Sequence, residues 1–181
     1  MNLTEKTISS ESIYNGKIIN LKVDTVELPD GNTALRELVE HPGGVAVVAV
    51  DDFENVYLVE QFRKPYDATL IEIPAGKLEK GEDPLACGKR ELEEETGLIA
   101  ENLIFLGECY PTVGYTNEII RIYLATGLSK TSQNLDDDEF LNVKAYNIND
   151  VMDMIMNNLL KDSKTIIGIM KAYIKLGLAD K

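Results

Sequence analysis

The stretch Gly76–Leu98, GKLEKGEDPLACGKRELEEETGL, constrains this chain more than any other. Asp83 is a natural N-cap, Pro84 suits the first helical position and Gly97 suits the residue just past the end, so the spacing predicts a helix entered from a glycine loop. Its last turns carry Glu91, Glu93, Glu94 and Glu95. Carboxylates there oppose the helix dipole and repel one another at i,i+3 and i,i+4. At 100° per residue, Leu85 and Leu92 share a face that should meet the core. Glu91 and Glu95 share a second face beside it, and Arg90 and Glu94 fall on a third, roughly opposite the core. Two readings fit: a solvated acidic face, or a platform for a hard cation such as Mg²⁺, whose charge would turn both penalties into attraction. Helix geometry alone leaves both open.

Around this helix the pattern is mixed α/β. Residues 6–40 read as short strands, with Pro29-Asp30-Gly31-Asn32 as a turn. Gly43–Asp52 is a buried strand forming a hairpin with Asn55–Arg63, and TLIEIPAG is a further strand running into the glycine loop. LIFLGECYPT and EIIRIYLATGL are strands around a loop at Pro111–Asn117, and LNVKAYNI is the last. From Asn149 to Leu176, apolar residues Val151, Ile155, Leu159, Ile166, Ile169, Met170 and Tyr173 recur at helical spacing, predicting one or two packing helices. The expected division is a small β unit at 1–40 and a larger α/β domain at 41–181.

Charge narrows the function. Eighteen basic against 31 acidic residues give a net charge of −13, which argues against nucleic acid as a partner and repels any anionic substrate unless metal ions or local arginines intervene. The single histidine makes a His-based zinc site improbable. Cys87 and Cys109 have no metal-ligand spacing and read as cytosolic thiols. The N-terminus lacks the apolar core of a signal peptide and no run reaches membrane-span length, so a cytoplasmic protein without a membrane partner is expected.

The spacing Gly76-x5-Glu82-x7-Arg90-Glu91-Leu92-x-Glu94-Glu95-x-Gly97-Leu98 matches the Nudix box at every fixed position. The chain therefore resembles the Nudix hydrolases, and the resemblance implies an α/β/α sandwich that cleaves nucleoside diphosphate derivatives with Mg²⁺ or Mn²⁺. In that family, the positions matching Glu91 and Glu95 ligate metal, Glu94 joins them or lies close by, and Ala75 offers a backbone carbonyl. Glu82 and Arg90, with Gly76 and Gly97, are structural, closing the loop onto the helix.

The similarity extends to SESIYNGKIINLKVDTVELPDG, RELVEHPGGVAVVAV, VEQFRKPYD and IEIPAGKLEKGE, which resemble the ADP-ribose pyrophosphatase branch. That branch implies a homodimer swapped through the N-terminal β unit, with each site borrowing from both chains. The implied substrate contacts are Arg36, Glu37, Arg63, Thr112, Val113, Gly114 and Glu118. Thr112-Val113-Gly114 departs from the branch's usual Ser-Pro-Gly, and a proline stands earlier at Pro111. His41 reads as structural. The acidic loop LDDDEF corresponds to the mobile loop that supplies the catalytic base: Glu139 matches best, Asp137 second, with Glu94 on the helix also a candidate. The implied reaction is hydrolysis of ADP-ribose or a related ADP-sugar to AMP and a sugar phosphate. Alternatives are another substrate, such as GDP-mannose or NADH, or a Nudix-fold sensor without catalysis.

Overall fold

The computed structural model describes residues 2–136 and 139–179. The chain divides into two compact units: one runs to Gly43 and includes Tyr110–Ile119, and the other comprises Gly44–Cys109 and the chain from Ile120 onward.

The first unit is an antiparallel meander of β1 (Lys6–Asn15), β2 (Asn20–Glu27) and β3 (Thr33–Glu40). The segment Tyr110–Ile119 runs alongside the end of β3. Val39 N–H donates to the Tyr115 carbonyl at 2.7 Å, and Asn117 Oδ1 accepts from His41 N–H at 2.8 Å. Every residue of β1 is exposed, including Ile8, Ile13 and Tyr14. A three-stranded sheet this small buries little apolar surface by itself.

The second unit is built on a seven-stranded mixed sheet. Its strands are β4 (Gly44–Val50), β5 (Asn55–Arg63), β6 (Ala68–Glu72), β7 (Ala75–Lys77), β8 (Leu98–Cys109), β9 (Ile120–Lys130) and β10 (Leu141–Asn147). The central path is β10-β5-β4-β9-β8, with β6 beside β5 and β7 beside β4; β4 and β9 are parallel. All of β4 is buried, and its alternation places the sheet between two layers. Val45, Val47 and Ala49 pack with Cys87 and Leu92 of α1 (Pro84–Thr96). Ala46, Val48 and Val50 pack with residues of α2 (Ile148–Met156) and α3 (Ser163–Lys175). The result is the expected α/β/α sandwich. Each fully buried Val or Leu contributes about 1.5–3 kcal/mol, so this two-sided core is what holds α1 and its carboxylates against the sheet.

Several local expectations are corrected. Leu85 shares its azimuth with Leu92 yet is 38% exposed, whereas Leu92 is fully buried. Leu85 stands in the first turn, and the buried stripe starts only at Cys87 and continues through Gly88, Glu91, Leu92 and Glu95. TLIEIPAG is two strands rather than one, interrupted at Ile73-Pro74, where proline has no N–H for the ladder. The β4–β5 hairpin pairs only at Ala49–Val50, because β5 leaves to join β6 and β10. In the C-terminal part, Leu159 and Met170 are exposed; Leu160, Thr165, Gly168 and Ala172 fill the interface instead.

Candidate active site

The N-terminus of α1 is capped as its sequence requires. Asp83 Oδ1 accepts from the N–H groups of Leu85 and Ala86 at 3.1 and 3.0 Å, and Pro84 occupies the first turn. At the other end Gly97 takes φ 64°, a left-handed conformation that a side chain disfavours, and the chain passes directly into β8.

Arg90 organises the acidic face. Its guanidinium donates to Glu82 Oε1 and Oε2 at 2.9 and 3.1 Å, to Glu91 Oε1 at 2.7 Å and to Glu94 Oε2 at 2.9 Å. The sequence pairs Arg90 with Glu94 across one helical turn; the structure adds Glu82 from the preceding loop and Glu91 from the neighbouring face. The contact with Arg90 holds the Glu82 carboxyl at about 2. Glu82 also accepts from Glu79 N–H at 2.9 Å, which ties the glycine loop to the helix.

Glu91 and Glu95 are both buried, at 8% and 3% exposed. Glu95 Oε2 accepts from Ala75 N–H at 2.9 Å, so the expected metal-ligating segment lies directly against the expected ligand. Burial raises the Glu95 carboxyl; the Ala75 N–H opposes this, the charges of Glu91 and Glu139 reinforce it, and the result is about 8. Burial also raises Glu91, against the pull of Arg90, with Glu94 and Glu139 adding to the rise. Two carboxylates buried together on one helix face are unfavourable when charged. A divalent cation removes that penalty, so the donor set suits a hard cation. Among the described residues no three acidic, His or Cys side chains are already gathered as a cation cage. Arg90 supplies the positive charge beside Glu91 and Glu94.

The loop glycine has a steric reason. β7 pairs with β4 through Val45 and Gly76, and a Cβ at Gly76 would collide with the Glu91 carboxylate. Gly76→Ala should therefore displace Glu91 and lower kcat by ~10²-fold or more, a loss of about 2.7 kcal/mol in transition-state stabilisation. Full activity in Gly76→Ala would show that Glu91 need not stand where the structure puts it. Cys87, behind this face, is a buried thiol pushed up to about 12, which makes it unreactive.

Glu139 is half-buried, its N–H donates to the Asp136 carbonyl at 3.0 Å, and its charge is felt by both Glu91 and Glu95. The acidic loop, far from α1 in sequence, thus returns to it. Asp137 lies outside the described residues.

Arg63, at the end of β5, is engaged within the chain. Its Nε and Nη2 donate to Glu72 Oε1 and Oε2 at 2.7 and 2.8 Å. The remaining candidate contacts belong to the first unit. Arg36 is paired with Glu5 through Nε and Nη2 at 2.9 and 2.6 Å. Glu37 and Gly114 are exposed, and Val113 is 82% exposed. The Thr112 carbonyl accepts from Thr116 N–H at 3.3 Å, and Glu118 Oε1 lies 3.5 Å from His41 Nδ1. Sequence reasoning missed Glu72 and Lys164, which form one ion cluster with Arg63. The available signal was an acid at position 72 in an otherwise apolar strand segment.

A model of the NUDIX domain matches residues 40–166, and the chain belongs to the Nudix family. A second model, the nucleoside diphosphate sugar hydrolase N-terminal domain, matches residues 5–39. The chain is 44% identical over 178 residues to an ADP-ribose pyrophosphatase of Bacillus subtilis (strain 168), covering 97% of this chain and 96% of that protein. It is also 44% identical over 179 residues to a methanol dehydrogenase activator of Bacillus methanolicus, covering 98% and 97%. A solved structure described as the crystal structure of ADP compounds hydrolase matches with a TM-score of 0.87 over 99% of this chain and 98% of that one; at 18% identity it shows the fold alone.

Proposed function

We propose that this Nudix protein hydrolyses the diphosphate of ADP-ribose, or a closely related ADP-sugar, to AMP and a sugar phosphate. The observation that carries this reading is the buried carboxylate pair Glu91 and Glu95 on α1, fitted against Gly76 and Ala75. Its likeness to an ADP-ribose pyrophosphatase over nearly the whole chain supports the choice of substrate.

Glu91, Glu94, Glu95 and the Ala75 carbonyl would hold Mg²⁺ or Mn²⁺, which when bound offsets the diphosphate charge and polarises its P–O bonds. That would add positive charge where an anion must bind, in a protein whose net charge is −13. Glu139 takes a proton from the water that attacks phosphorus, and the bridging P–O bond breaks as the leaving phosphate oxygen accepts the electron pair. Arg63 binds the nucleotide or its diphosphate through the guanidinium edge left free by Glu72. The resemblance to the ADP-ribose pyrophosphatase branch assigns substrate contacts also to Arg36, Glu37, Thr112, Val113, Gly114 and Glu118.

Incubation with ADP-ribose and Mg²⁺, beside NADH, GDP-mannose and other sugar nucleotides, tests the reading. AMP and ribose 5-phosphate should form fastest from ADP-ribose. Preference for another nucleotide by a wide margin reassigns the substrate, and no turnover of any would favour a sensor.

The N-terminal sheet is the basis for a homodimer. Its β1 exposes Ile8, Ile13 and Tyr14, apolar surface that a second copy would cover. Light scattering should give twice the 20.1 kDa chain mass, and deletion of residues 1–40 should leave unstable or inactive protein. A fully active monomer would contradict this assembly.

A further inference from the structure

Helix α3 starts with a charge in an unfavourable place. Asp162 caps it, its Oδ2 accepting from Thr165 N–H at 3.0 Å. Lys164 stands in the first turn, where the helix dipole disfavours a cation, and it is only 8% exposed. Burying an ammonium there requires partners, and it has two: Glu72 Oε2, and Asp162 Oδ2 at 3.0 Å. Glu72, 2% exposed, takes Arg63 on its other side. Two acids and two bases thus form one closed cluster joining α3, β6 and the end of β5.

The neighbouring residue ties the backbone in the same place. Thr165 Oγ1 donates to Asp162 Oδ2 at 2.6 Å and accepts from Ile73 N–H at 2.9 Å, fixing the residue that follows Glu72. Two residues further on, Ala75 N–H meets Glu95. The first turn of α3 therefore grips the β6–β7 link by a side chain at Glu72 and by a peptide group at Ile73.

We propose that Lys164 is a positioning residue for substrate binding: by holding Glu72 it sets the orientation of the Arg63 guanidinium toward the nucleoside diphosphate. This rests on the reading of Arg63 as a substrate contact. Without the ammonium, nothing fixes the Glu72 carboxylate on the side away from Arg63, so the Glu72–Arg63 pair opens more often, and the cluster carries an uncompensated negative charge beside an arginine that must receive an anion. Both changes weaken binding more than they alter the chemical step.

The test is a double-mutant cycle with ADP-ribose and Mg²⁺. Lys164→Met, close to isosteric, should raise KM ~10-fold or more while kcat changes by less than about threefold. Arg63→Ala should likewise act mainly on KM. In the Arg63→Ala background, Lys164→Met should add less than about twofold, because the two act as one unit. An unchanged KM, or effects that multiply, would overturn the proposal. If Lys164→Met does not fold, Lys164→Gln removes the charge but keeps a donor, and is read in the same way. A second measurement needs neither metal nor substrate: the Arg63 Nε–H proton should exchange slowly in the wild-type protein and at least about tenfold faster in the Lys164 variant. Equal protection in both sinks the proposal. If the wild-type protein turns over no ADP-ribose, the functional reading fails while the Nε–H measurement still decides whether Lys164 holds Arg63.

Discussion

Glu139→Gln should lower kcat and kcat/KM together by ~10²–10⁴-fold, with substrate affinity nearly kept. Glutamine preserves size and polarity but cannot accept a proton. A base acts in the transition state, whereas metal ligands and Arg63 also hold the ground state, so the two classes of variant separate in steady-state kinetics. Glu139 is favoured by its placement: its charge reaches both buried carboxylates of α1. Asp137→Asn is the control and should do less. If it proves as damaging, the two acids share the role. If neither variant lowers kcat by tenfold, the base is not in this loop, and Glu94 becomes the leading candidate.

Glu95→Gln should abolish most turnover and weaken Mg²⁺ binding, yet stabilise the metal-free fold. The sign follows from proton linkage. The folded carboxyl titrates at about 8, whereas the ordinary value is 4.5. Between those limits the folded chain holds a proton that the unfolded chain has lost, so rising pH favours unfolding. The stability present below pH 4.5 is lost progressively as pH rises toward 8, a loss of up to about 5 kcal/mol at about 1.4 kcal/mol per unit. Glutamine still accepts from Ala75 N–H and carries no such loss. Urea unfolding of chelator-treated protein at pH 5, 6, 7 and 8 should show the gain of the variant growing with pH. Parallel curves, with an unchanged metal titration, would remove Glu95 from the cation site.

The sequence by itself determined the local features. Asp83, Pro84 and Gly97 fix both ends of α1, because capping is settled within a few residues. The Gly76–Leu98 spacing identifies the family, and an unbroken apolar run marks β4 as a buried strand. Azimuth alone misled at Leu85, because facing the core buries a side chain only where a neighbouring layer covers that turn. Tertiary structure decided what lies far apart along the chain. Arg90 reaches back to Glu82 across eight residues, and Lys164 meets Glu72 across 92. That second separation has no periodic signature, and a lysine in a helix's first turn reads as surface until a strand carboxylate is packed beneath it. The same holds for the raised Glu95 carboxyl. Its identity and spacing are written in the sequence, but its charge state is set by the layers that exclude water around it, and those exist only once the sheet and helices have closed.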